Sequence, residues 1–136
     1  MSKFTSTDKL FFKYLVAKRG HICEIHQREC PGIGPMHLLS KATAPRLRYD
    51  EWNVILACWF GAHYPTHHDP DGDKAVYAKK RICELRGYST WQELRDELKL
   101  RARIAKKVDL GMTRLWLKQE ITSLQGKDEK SVKTFP

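Results

Sequence analysis

Nowhere in this 136-residue chain does an apolar run approach the roughly 20 residues that a membrane-spanning helix requires, so no such helix is expected. The start, MSKFTSTDKLFFKYLV, has an apolar patch, but Lys9 and Lys13 interrupt it and no small-residue cleavage site follows. It reads as a helix, not a signal peptide, and the expected location is the cytoplasm. No Gly-rich phosphate cradle or other cofactor fingerprint occurs, which argues against a metallohydrolase acting on a small substrate. Internal repeats and low-complexity tracts are missing, and strands do not alternate with helices in the βαβ manner. Acidic residues are outnumbered, 16 Asp and Glu against 25 Lys and Arg, for a formal charge of +9. Such an excess favours a polyanionic partner, most simply nucleic acid, over a membrane surface, because the basic residues are spread over several segments.

Cysteine is scarce and unevenly placed. Cys23, Cys30, Cys58 and Cys83 do not read as disulfides in a reducing compartment. Residues 21–68 hold nine of the ten Cys and His residues, a clustering that points to metal. Cys83 lies apart, inside a helical pattern, and reads as a buried thiol.

The hydrophobic pattern predicts a helix over 6–19, capped by Ser6 or Thr7 and ended by Gly20. Residues 21–36 contain Pro31, Gly32, Gly34 and Pro35 and read as loop and tight turns. MHLL (36–39) reads as a short strand, and NVILACWF (53–60) as a second strand or the run into a helix. Further helices are expected over 73–87, with Ala75, Tyr77, Ala78, Ile82 and Leu85 on the buried side, from Thr90 to about Lys107, and over 112–124. Thr90 and Glu93 have capping-box spacing. The fold class is α+β and mainly helical, with a small β element. The expected organisation is one domain over 1–125, with a core at about 20–72 and a helical part at 73–125, followed by a flexible tail at 126–136.

Within CWFGAHYPTHHDP, residues 58–70, His63 and His67 stand at i, i+4 and share one face if the segment is helical, so that they can hold one metal between them. Pro65 is tolerable in a first turn. His37 alone reads as a satisfied core histidine, and Asn53 alone as a turn amide.

Together these residues say more. PMHLLSKATAPRLRYDEWNVILACWFGAHYPTHHDP resembles the core of the HNH nucleases, and of phage and prophage HNH proteins in particular, over residues 20–72. The resemblance implies a ββα-metal fold and a metal-dependent DNA endonuclease that leaves 5′-phosphate and 3′-hydroxyl ends. By resemblance His37 is the general base, Asn53 braces the loop that orients it, and His63 and His67 are ligands of the catalytic metal, with His68 a further candidate. The working ion would be Mg²⁺ or Mn²⁺, with Zn²⁺ as an alternative suited to imidazole. Lys41, Arg46 and Arg48 would hold the DNA backbone. Cys23, Cys30 and Cys58 would belong to a structural zinc, with His26 or His63 as fourth ligand; if His63 serves that site, His67 and His68 inherit the catalytic metal. The context implied is phage recombination or DNA processing in a bacterial cell, by a monomer or homodimer. Two departures stand out. Met36 occupies a position that is often a His or Asp ligand, and the usual C..CH has become Cys58-Trp-Phe-Gly-Ala-His63, one residue longer and one cysteine poorer. Both departures favour the alternative, a zinc-stabilised DNA-binding module without catalysis. The basic run Lys99 to Lys107 is expected to track DNA backbone.

Overall fold

The computed structural model describes residues 3–133. It is a mainly helical α+β fold with five α-helices and one two-stranded sheet. The order is α1 (Lys3–Arg19), β1 (Ile33–His37), β2 (Val54–Cys58), α2 (Tyr64–His68), α3 (Asp73–Arg86), α4 (Trp91–Ile104) and α5 (Leu110–Lys133). Short 3-10 turns at Pro45–Leu47 and Glu51–Asn53 lie between the strands, and a π-helical turn, Trp59–His63, joins β2 to α2. Among the described residues no helix is long and apolar enough to cross a membrane.

Contacts divide the chain into two compact units where one domain over 1–125 is expected from sequence. One unit combines the residues up to His21 with those from Asp109 onward. Its core is α1 against α5: Phe11, Tyr14, Leu15, Leu117 and Ile121 are buried, and the Tyr14 ring lies 5.2 Å from that of Trp116. Thr7 is buried inside α1, which starts before Ser6, so neither Ser6 nor Thr7 caps it. α5 runs two residues earlier and nine later than the 112–124 expected, and through most of the segment read as a flexible tail. Residues 134–136 of that tail lie outside the described residues.

The second unit, Ile22–Val108, contains the sheet, α2, α3 and α4. The strands are antiparallel, with Ile33 opposite Cys58 and His37 opposite Val54. β1 therefore begins three residues before the expected 36–39 and ends at His37. Pro35 sits within it, allowed because a two-stranded sheet has only edge strands. β2 is buried throughout, as an apolar run covered on both faces must be. Met36, Leu39, Leu47, Ile55, Ala78, Ile82, Leu94 and Leu98 form the core around it. Gly87 ends α3 in the left-handed conformation (φ 79°), and Thr90 Oγ1 accepts from Glu93 N–H at 3.2 Å to start α4. Cys83 is buried, as expected; Tyr77 is not, with 54% of its surface exposed.

A cysteine–histidine quartet and a histidine cleft

Cys23, His26 and Cys30 lie on a knuckle before β1, and Cys58 ends β2. Gln27 closes the knuckle with φ 58°, its N–H donating to Cys23 C=O at 2.7 Å, and Cys23 bridges to Arg28. A non-glycine residue in the left-handed region carries strain that the surroundings must offset. Glu24 ties the knuckle to the sheet: its N–H donates to Leu56 C=O (2.8 Å) and its carboxylate accepts from Leu56 N–H (2.7 Å).

The ligating atoms of Cys23, His26, Cys30 and Cys58 all lie within 4.8 Å of one another, a group that can hold a metal ion. His26 Nδ1 is 3.3, 3.7 and 3.4 Å from the sulfurs of Cys23, Cys30 and Cys58. Tetrahedral zinc, with bonds of about 2.3 Å to sulfur and 2.0–2.1 Å to nitrogen, sets sulfur and nitrogen roughly 3.6 Å apart. The residues therefore fit a zinc-like ion, and the fourth donor is His26, not His63. Burial and the neighbouring Cys23 push the Cys58 thiol up to about 11. A cation held beside Cys58 would offset that burial and favour its thiolate. Tyr77 of α3 stacks on His26, with ring centroids 6.1 Å apart and planes at 12°.

After Cys58 the chain makes a π-turn, Trp59–His63, before α2 begins. Tyr64 N–H donates to Trp59 C=O, five residues back, which makes this turn wider than an α-helical one. His63 and His67 stay adjacent, ring centroids 5.3 Å apart. His68 stacks on Tyr64 at 4.3 Å.

His63, His67 and His37 line one cleft of about 350 Å³ with Pro35, Ser40 and Lys41. Burial first, then the cationic forms of His67 and His37 and the charge of Lys41, lowers the pKa of His63 to about 4. His67 is lowered by burial and by His68. Among the described residues the cysteine–histidine quartet is the one group of three or more ligating side chains drawn so tightly together; His63 and His67 form a pair.

At the end of β1, His37 is almost buried and its Nε2 lies 2.9 Å from Arg48 C=O. A carbonyl only accepts, so Nε2 carries the proton, and in the neutral ring Nδ1 holds the lone pair. The loop that presents Arg48 is held by Asn53, which has no exposed surface. Asn53 Oδ1 accepts from Leu39 N–H (2.8 Å), and Nδ2 donates to Leu39 C=O (3.0 Å) and Leu47 C=O (3.4 Å). Arg86 of α3 donates to the carbonyls of Trp52 (3.0 Å), Val54 (3.0 Å) and Glu51 (3.4 Å), on either side of Asn53. By charge alone Arg86 counts among solvated helix residues; no spacing signal marks it.

Of the three cations expected to hold DNA, only Lys41 lines the cleft. Arg46 donates to Ala105 C=O at 3.1 Å, at the end of α4, and the Arg48 guanidinium lies 5.9 Å from the Tyr49 ring. Met36 is 1% exposed and belongs to the core. In the run Lys99 to Lys107, Arg101 packs over Trp52 at 4.3 Å while Lys99, Arg103, Lys106 and Lys107 are exposed. Compared with known proteins, the chain matches no family model, no curated protein and no solved structure.

Proposed function

We propose that Ile22–Val108 is a metal-dependent DNA endonuclease of the HNH type, its fold clipped by zinc at Cys23, His26, Cys30 and Cys58. One observation carries the reading: two antiparallel strands and the following helix bring His37, His63 and His67 into one cleft. His37 is then the general base. Its Nε2–H is engaged by Arg48 C=O, so the basic Nδ1 takes the proton of an attacking water, and Asn53 fixes the loop that sets this tautomer. His63 and His67 would hold a divalent ion, Mg²⁺ or Mn²⁺, which when bound stabilises charge on the phosphate and the leaving 3′ oxygen. The lowered pKa of both keeps their lone pairs available at neutral pH. Lys41 contributes positive charge where the phosphodiester would lie.

A second reading, a zinc-clipped DNA-binding module without catalysis, draws on Met36. A thioether sealed in the core stands where a nuclease of this type often has a third ligand. Nicking of supercoiled plasmid separates the two. The nuclease reading expects nicking with Mg²⁺ or Mn²⁺, none in EDTA, and none from His37→Ala that still folds and binds DNA. Folded protein that binds DNA but nicks with no ion would select the binding module.

A further inference from the structure

His37 and His67 line a second, smaller cavity of about 120 Å³, separate from the cleft that holds Lys41. Its other walls include Thr66 of α2, Lys79 of α3, and Trp91 and Arg95 of α4. Among the described residues no carboxylate lines it. Lys79 is held in place: its ammonium donates to Pro70 C=O at 3.1 Å and lies 5.7 Å from the Trp91 ring. Arg95 is half-buried beside exposed Gln92, Glu93 and Asp96, and forms no hydrogen bond or ion pair among the described residues. A guanidinium kept partly from water without a partner is costly unless an anion visits it.

We infer that Lys79 and Arg95 form a phosphate subsite, which takes a backbone phosphate of the nucleic acid next to the one at His37. The inference rests on the nuclease reading for its substrate. The two cavities share the general base and one histidine of the metal pair, so a strand whose scissile phosphate meets His37 has one neighbouring phosphate on the Lys41 side and another on the Lys79–Arg95 side. The pair is also built from different elements, α3 and α4, so the helices after the ββα core take part in substrate binding. A planar guanidinium and a point-charge ammonium on one small cavity suit a tetrahedral dianion or diester better than any neutral ligand.

The test is binding of a fluorescent duplex oligonucleotide to the full chain in EDTA across a salt series, with plasmid nicking in Mg²⁺ or Mn²⁺ alongside. The variants are Lys79→Gln/Arg95→Gln and the charge-matched Lys74→Gln/Lys80→Gln, at exposed positions of α3, both checked for folding by circular dichroism. The subsite expects the first pair to weaken binding at least tenfold and to lower the slope of log K against log salt by about 0.9, the value for one phosphate. The second pair should leave the slope within error. Equal losses from the two pairs, or no change from the first, would overturn the subsite. If the wild type binds DNA and loses affinity only in the first pair, yet nicks with no ion, the nuclease reading falls and the subsite stands.

Discussion

Asn53 shows how much one buried side chain decides. It closes the loop between the strands from within, and three hydrogen bonds leave it for Leu39 and Leu47. In Asn53→Ala the Leu39 N–H and C=O lose their partners in a place water does not reach. Each such group costs about 1–3 kcal/mol, so the substitution should cost roughly 2–6 kcal/mol in urea unfolding. A loss below about 1 kcal/mol would mean that other contacts hold the loop. The importance of Asn53 is legible in the sequence only through the string it belongs to; by itself an Asn before a strand signals a turn. His26 was legible as one of two candidate donors by its Cys23-x2-His26 spacing, and geometry decides for it. Arg86, Lys79 and Arg95 were illegible: nothing local separates a basic residue that braces carbonyls, or faces a cavity, from one in solvent.

At the scale of elements, the knuckle, β2 and the π-turn depend on one another. Helix ends marked by local chemistry, Gly87 and Thr90, are where the sequence puts them, because capping is settled within four residues. β1 is displaced from its expected position because its pairing with β2 follows from register, which no short segment encodes. No spacing signal in the sequence marks the π-turn. Its Gly61 is required by proximity: a Cβ there would stand 2.7 Å from Cys58 Sγ and 2.8 Å from His26 Cε1. Gly61→Ala should therefore lower the affinity of the quartet for zinc by about 10–100-fold, the scale of losses around metal ligands. The readout is thiol titration during chelation. Wild-type protein should protect Cys23, Cys30 and Cys58 until EDTA strips one metal per chain, after which three thiols react together. The buried Cys83, its thiol pushed up by burial and by Glu93 and Glu84, should lag behind them. In Gly61→Ala the three should react at much lower chelator concentration. Identical chelator dependence would show that the turn yields without cost.

For the whole molecule, the division into units was hidden in the sequence because α1 and α5 meet across almost the entire chain, and contacts of that range leave no periodic trace. The charge divides as well. Ile22–Val108 carries 15 Lys and Arg against 11 Asp and Glu, whereas the remaining residues carry 10 against 5. More than half of the net charge thus belongs to residues outside the unit that holds the cleft. Such charge acts at long range: under the proposed function it would speed encounter with DNA at low ionic strength, and it is screened once the Debye length contracts from about 10 Å at 0.1 M to about 3 Å at 1 M salt. Lys13 and Lys118 are exposed members of this group. Lys13→Gln/Lys118→Gln should slow association with duplex DNA several-fold at low salt, and the difference from wild type should vanish in high salt. Single-turnover nicking with protein in saturating excess should be unchanged, because neither residue acts on the bound phosphate. Stopped-flow association and quenched nicking measure the two halves separately. A saturating rate that falls in this variant would instead place the two lysines at the reacting strand, and the division of labour between long-range attraction and the cleft would be wrong.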